Sequence, residues 1–210
     1  MTELRVDTPV GPARLVVEEA ARPRVVLVLG HGAGAGVETR DLQALATDLP
    51  GRGITVVRME QPWRVAGRRV AAPPGQLDQA WAAALAHVTR PRRGRLVVGG
   101  RSAGARVACR TAAQVGASAV VALAFPLHPP GRPDRSRADE LLGSGVLTLV
   151  VQGARDAFGG PEEIPAGPSV VAIPGADHGF AVGKRSGLTQ SEALAMLTEA
   201  VGDWVLDHSH

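Results

Sequence analysis

The chain has 210 residues, 45% of them hydrophobic, which is enough apolar material to build one sizeable core. With three Trp, three Phe and no Tyr that core is aliphatic, and a single cysteine, Cys109, excludes an internal disulfide. The formal net charge is only +3, almost all of its positive side arginine, in short clusters (Arg68-Arg69, Arg92-Arg93-Arg95, Arg132 to Arg137) without interleaved aromatics, which argues against a nucleic-acid surface.

Glu3, Arg5, Asp7 and Arg14 interrupt the opening residues, so no signal peptide is expected. The longest apolar stretch, Val115 to Leu127, is too short to span a membrane. The expectation is a soluble cytoplasmic protein with no membrane or nucleic-acid partner, forming a single domain over residues 1–210.

Leu4 to Asp7 and Ala13 to Val17, parted by Pro9-Val10-Gly11-Pro12, predict an antiparallel hairpin. Arg24 to Gly30 is a continuous apolar run suited to a central parallel strand buried on both faces, and it empties into His31-Gly32-Ala33-Gly34. A helix follows, with Thr39 as N-cap, Leu42, Leu45 and Leu49 on one face, and Pro50-Gly51 as its stop. Ile54 to Met59 predicts the next strand and Glu60 to Gly75 a loop rich in Pro, Arg and Gly. Gln76 to Val88 predicts a helix with Leu77, Trp81, Leu85 and Val88 at core spacing.

Leu96-Val97-Val98 is strand-like and turns through Gly99-Gly100-Arg101-Ser102-Ala103-Gly104 into a helix that starts with small residues. Gly100-x-Ser102-x-Gly104 has the G-x-S-x-G form of a nucleophile elbow, in which a strained serine is lifted above the end of the sheet. Positions two before and two after it must be tiny, because strand and helix nearly collide there. Beyond the elbow, Ala119 to Ala124, Val146 to Gln152 and Ser169 to Ile173 predict three more strands, with a short helix near Arg137 to Leu142. The last helix opens on a capping box, Thr189 with Glu192, and is expected to turn Leu194, Leu197, Val201, Trp204 and Val205 to the sheet. Asp207 to His210 reads as a tail.

Strands alternating with helices predict an α/β fold: a mostly parallel sheet of about eight strands with an antiparallel N-terminal hairpin and helices on both faces. In such sheets functional groups collect on loops at the carboxyl ends of the strands. Those loops supply Ser102, then Asp156 in Gly153-Ala154-Arg155-Asp156, then His178 in Gly175-Ala176-Asp177-His178. Serine, acid and histidine thus follow one another in the order of an α/β-hydrolase triad. Ser102 needs a base to take its proton, an imidazole is the side-chain type best suited to that task and His178 supplies one, and Asp156 would hold the imidazole tautomer. Backbone N–H groups of Ala33 and Ala103 are the candidate oxyanion hole.

Each role has rivals. His31 also follows a strand but is placed to brace the oxyanion loop. His128, on the loop after the fourth parallel strand, is a pocket residue or an alternative base, and Glu162 or Glu163 an alternative acid. Asp177 adjoins His178 and is poorly placed to reach its ring. Arg101 and Arg106 flank the elbow, either paired with nearby acids and carbonyls or, for Arg101, selecting an acidic substrate. The candidate substrate pocket is His31, Trp63, Arg101, His128 and Phe158. No Cys/His array has metal spacing, and neither a metal nor a cofactor is expected.

The blocks GHGAG, GGRSAGAR, AFPLHPPGRP, VQGARDAFG and PGADHGF, together with PWRVAGRR, resemble the α/β-hydrolases, over about Val25 to Trp204. More narrowly they resemble a small dienelactone-hydrolase-like group that includes the testis-expressed 30 protein and the third subunit of the NSL chromatin complex. That resemblance implies the α/β-hydrolase fold and Ser102, Asp156 and His178 as the triad. It also implies a departure, since dienelactone hydrolases proper use a cysteine where this chain has Ser102. The twenty or so residues from Phe125 to Gly145 are too few for a lid domain, so a shallow site for a small acyl substrate is expected. Three readings follow: a cofactor-free serine hydrolase of small esters, thioesters or lactones; a scaffold that keeps the fold; and a dinucleotide binder using Gly30 to Ala35 as G-x-G-x-x-A with Glu60.

Overall fold

The apolar runs of the sequence become one sheet in the computed structural model, which describes residues 1–89 and 94–208. In chain order its strands are β1 (Thr2–Val6), β2 (Ala13–Glu18), β3 (Val25–Gly30), β4 (Ile54–Glu60), β5 (Arg95–Arg101), β6 (Ala119–Leu123), β7 (Leu147–Gly153) and β8 (Ser169–Ile173). Arg92, Arg93 and His210 of the sequence reading lie outside the described residues. The eight strands lie in the order β1-β2-β4-β3-β5-β6-β7-β8. β1 with β2 and β2 with β4 are antiparallel, and every later pairing is parallel, as an α/β-hydrolase fold requires.

The helices are α1 (Arg40–Asp48), α2 (Pro62–Val65), α3 (Pro74–Thr89), α4 (Ala103–Thr111), α5 (Ala138–Leu142) and α6 (Gln190–Asp207). Because side chains alternate across a strand, β3 feeds both faces. Val26 and Val28 join the core under α3 and α4 with Trp81, Leu85 and Val107. Val25, Leu27 and Leu29 join the opposite core under α1 and α6 with Leu42, Leu45, Leu197 and Val201. This two-sided cover is why the run carries no polar residue. Among the described residues no helix is long and apolar enough to cross a membrane.

Three local expectations change. The stretch from Glu60 to Gly75 is not all loop: α2 is a single turn, opened by Pro62 with its preset φ and anchored by buried Trp63. Four residues are too few to show a helical period. Thr39 occupies the N-cap position of α1 but its hydroxyl caps nothing. In α6 the buried stripe is Ala193, Leu197, Thr198, Val201, Gly202 and Val205, with Leu194 and Trp204 only half-buried. Small Ala193 and Gly202 let this helix sit close, and a Cβ on Gly202 would strike the Arg52 guanidinium. The capping box is as expected, the Thr189 hydroxyl accepting from the Glu192 N–H (3.2 Å) and the Glu192 carboxylate from the Thr189 N–H (2.7 Å).

Where β5 meets α4 the backbones almost touch. A Cβ on Gly104 would lie 2.5 Å from the carbonyl carbon of Gly30, and one on Gly100 would lie 2.5 Å from the Gly30 oxygen. Gly100 also has φ +154°, which side chains rarely adopt. Only glycine fits either place. Gly104→Ala is therefore expected to lower the urea-unfolding free energy by about 1–3 kcal/mol, the usual cost of overpacking. Gly75→Ala, at the start of α3 with nothing within 4 Å of the added carbon, should leave stability unchanged or raise it by up to about 1 kcal/mol.

Candidate active site

Ser102 sits between β5 and α4 with φ 53° and ψ −115°. Holding a non-glycine residue there costs about 1–3 kcal/mol. Its N–H donates to the Leu123 carbonyl (2.9 Å), which ties the turn to β6. Ala124 (φ 44°) and Phe180 (φ 54°) are also held at positive φ, and both lie at the same end of the sheet. The strained backbone is thus concentrated where the candidate groups meet.

The three side chains expected from the sequence come together. Ser102 Oγ lies 2.9 Å from His178 Nε2. On the far side of the ring, Nδ1 is 2.8 Å and 3.0 Å from the two Asp156 oxygens. A carboxylate only accepts, so Nδ1 carries the proton, and Nε2 is left with a lone pair facing the serine hydroxyl. The Asp156 carboxylate is fully buried, while the His178 side chain keeps 21% of its exposure.

Burying a carboxylate is costly unless its oxygens are bonded. Asp156 also accepts the Phe158 N–H (2.8 Å) and a hydrogen from Gln152 Nε2 (3.0 Å). Gln152, itself fully buried, accepts the Phe125 N–H (2.9 Å), and its amide nitrogen also reaches the Gly159 carbonyl (2.7 Å). Gln152 belongs to no motif; its one mark in the sequence is that of a lone amide at the end of the apolar run VLTLVV. Phe158 lies against the His178 ring, centroids 4.2 Å apart, so it faces the imidazole.

His31 closes the other side. Its Nδ1 is 2.7 Å from the Gly32 carbonyl and its Nε2 accepts the Gln61 N–H at 3.0 Å. Those partners fix one neutral tautomer and occupy its lone pair. Burial, its largest influence, lowers its pKa, which favours the same neutral form. It braces the turn that carries Ala33. The Ala103 N–H, first in α4, has no acceptor within the helix and points out of its N-terminus. Ala33 and Ala103 line one cleft.

Arg101 is nearly buried. Its Nε donates to Asp41 Oδ2 (3.0 Å) and its Nη2 to the His178 carbonyl (2.6 Å). Two of its three nitrogens are therefore engaged with protein groups, the paired arrangement rather than the substrate-selecting one. Asp41, fully buried in the first turn of α1, was not singled out from sequence; a carboxylate at a helix start usually reads as a favourable dipole partner. Arg106 pairs with Glu140 (2.9 Å and 2.5 Å).

The rivals are placed elsewhere. His128 faces two acceptors, the Pro129 carbonyl (3.0 Å) and Glu163 (3.1 Å), an arrangement that favours its protonated form. The Pro129 bond, then Glu163, raises its pKa. Glu163 is tied there and Asp177 caps its own loop through Gly179 and Ala181. The Cys109 thiol is buried and pushed up to about 12, mainly by desolvation, which leaves it inert. Glu60 is bonded to Arg14 (2.9 Å), and the helix that follows the glycines, α1, does not begin until Arg40, so the Gly30 to Ala35 run does not open that helix as a dinucleotide fingerprint must. Among the described residues no group of three or more His, Cys, Asp or Glu is placed to hold a metal.

The sequence matches the family model for the alpha/beta hydrolase domain over residues 23–206. No curated protein matches it. Among solved structures it is similar to XC6422 from Xanthomonas campestris, described as a member of the a/b serine hydrolases without a lid: 25% identity, 97% of this chain and 94% of that chain covered, TM-score 0.71. Two others share the fold. Dienelactone hydrolase from Anabaena variabilis has 21% identity, with 100% and 99% of the chains covered and TM-score 0.70. Est1E from Butyrivibrio proteoclasticus has 15% identity, with 99% of each chain covered and TM-score 0.75. With the match running over six of the eight strands, from β3 to β8, and over the helices that cross between them, the chain belongs to the alpha/beta hydrolase domain family.

Proposed function

We propose that this protein is a cofactor-independent serine hydrolase that cleaves a small ester, thioester or lactone through an acyl-enzyme on Ser102. The observation that carries the reading is the continuous line from Ser102 Oγ through His178 to buried Asp156, at 2.9 Å and 2.8 Å. Within the family we place it in the small dienelactone-hydrolase-like group, on the blocks around Pro126 and Gln152.

As Ser102 Oγ bonds to the substrate carbonyl carbon, its proton passes to His178 Nε2 and the carbonyl electron pair moves onto oxygen. The N–H groups of Ala33 and Ala103 meet that oxyanion; one such donor is worth about 3–4 kcal/mol. Collapse breaks the bond to the leaving oxygen or sulfur, which takes the proton from Nε2. Water then repeats the sequence on the acyl-enzyme, giving its proton to Nε2, and the serine is restored as the acid departs. Between β6 and β7 there is only the loop from Ala124 to Arg137 and the single turn and a half of α5. Nothing among the described residues covers His178 completely, which favours small substrates over long lipids.

Arg101 acts in this scheme as a positioning residue. Through Asp41 and the His178 carbonyl it fastens the histidine loop to α1. A misplaced base costs turnover more than binding.

Fluorophosphonate labelling followed by peptide mapping is expected to mark Ser102, and Ser102→Ala is expected to lower kcat for an activated acetyl ester by about 10⁴-fold or more. An unlabelled, well-folded protein, or a variant with unchanged turnover, overturns the assignment. Arg101→Lys keeps the charge but cannot make both bonds. It should lower kcat about tenfold with little change in KM, and Asp41→Asn should mimic it without adding to it in the double variant. Additive losses, or a change in KM alone, count against the positioning role.

A further inference from the structure

The cleft bounded by Ala33 and Ala103 runs inward between α2, α3 and α4. Its deeper wall is Gln61, Trp63, Leu77, Trp81 and Val107. It holds about 290 Å³ of empty space counted out to its mouth, but only about 10 Å³ is open to the centre of a water molecule. A space of that size takes about one water molecule, or one methyl group.

The wall has little freedom to retreat. Trp63, Trp81 and Val107 are buried. The Trp81 ring stands 3.3 Å from where a Cβ on Gly30 would lie, hard against the contact between β3 and α4. His31, also in the lining, is held between the Gly32 carbonyl (2.7 Å) and the Gln61 N–H (3.0 Å), and the Gln61 amide donates to the Leu77 carbonyl (3.2 Å). Buried side chains packed in this way move only at a cost in strain.

Which half of an ester enters follows from the proton transfer. The leaving oxygen receives its hydrogen from His178 Nε2, so the alcohol half lies on the histidine side of Ser102. Asp156, Phe158 and His178 take no part in the cleft lining. With the oxyanion on the Ala33 and Ala103 N–H groups, the acyl chain is the substituent directed into the cleft. The histidine side is roomier: beside Gly179 lies an open depression with about 700 Å³ of empty space.

Resting on the acyl-enzyme reading, we propose that the protein is selective for acetyl esters and thioesters of larger alcohols or thiols, with Trp63, Trp81 and Val107 setting the acyl length. The acetyl methyl fills the cleft, and each further methylene has to displace that wall. One methylene that does not fit changes kcat/KM by about 10- to 200-fold. The alcohol half meets no such wall.

The test uses an isomeric pair, butyl acetate and ethyl butyrate, which share a formula and differ only in which side of the ester carries the extra carbons. Each kcat/KM is measured in a pH-stat and divided by the ester's own rate of hydroxide hydrolysis. The intact protein should favour butyl acetate by about tenfold or more, the least that a misfitted methylene is worth. Val107→Ala and Trp81→Leu each enlarge the cleft and should raise kcat/KM for ethyl butyrate itself, a gain that damage to the fold cannot produce; if one variant fails to fold, the other carries the test. A smaller preference in the intact protein, or one for ethyl butyrate, overturns the inference and leaves the serine hydrolase reading standing. No gain on ethyl butyrate in the folded variants overturns it too, since the acyl chain is then measured elsewhere. Absence of Ser102-dependent turnover for both esters brings down the acyl-enzyme reading and this inference with it.

Discussion

The end of β3 and the start of α4 approach so closely that only glycine fits between them, and the whole site is arranged around that contact. Gly104 lies on Gly30, and no side chain can intervene. On the same side, a Cβ on Gly30 would touch the Trp81 ring at 3.3 Å, and one on Gly32 would touch Ser102 Cβ at 3.3 Å. One short stretch of bare backbone therefore sets three distances at once. It fixes the serine relative to the helix that supplies Ala103, the serine relative to the turn that supplies Ala33, and both relative to the indole at the foot of the cleft. A larger residue at Gly30 or Gly104 would separate all of these together. The sheet tolerates such bareness because its apolar runs are packed on both faces and hold strand and helix in place.

Above that contact the problem is electrostatic. Charged and amide groups must be buried at the carboxyl end of the sheet without being left unbonded. Two separate networks meet at His178. On one side Gln152, carried by β7, joins the loop after β6 to the Asp156 loop, so the acid is held by backbone as well as by the imidazole. On the other, Arg101 joins α1 to the His178 carbonyl. The histidine loop is thus pinned from opposite directions, through its ring and through its main chain. A loop held only by the ring could pivot about the Asp156 bond; one held only by its carbonyl could turn the ring away.

The sheet, its direction and the order of its loops were legible because long apolar runs and glycine-rich turns carry their own signal. The strand VVLVLG reads as central from its lack of any polar residue, and G-x-S-x-G reads as an elbow because sterics leave no other choice. The supporting groups were harder to see. Asp41, Gln61 and Gln152 belong to no motif, and each acts on a residue far along the chain: Asp41 on Arg101, the Gln61 N–H on His31, Gln152 on the loop at Phe125. Spacing cannot show such pairings. On α6 the large residues Leu197, Val201 and Val205 face the sheet as their spacing suggests, and Trp204 packs against the same core, but the small members of that face, Ala193 and Gly202, carry no such signal. Gly202 is buried because Arg52 and Leu49 press on it.

The histidines show why a list of residue types at strand ends is not yet a site. His31, His128 and His178 all stand at the carboxyl end of the sheet, and their rings are chemically identical. What separates them is which kind of atom each nitrogen faces. His31 faces one acceptor and one N–H donor, so its lone pair is already taken. His128 faces two acceptors, so it holds its proton rather than receiving one. His178 alone of the three faces a carboxylate on one nitrogen and a hydroxyl on the other. A hydroxyl can give up its hydrogen in that direction, whereas a carbonyl cannot and a backbone N–H will not. The role proposed for His178 thus follows from the character of its two neighbours, and any rearrangement that exchanged the serine hydroxyl for an acceptor would convert this imidazole into another brace.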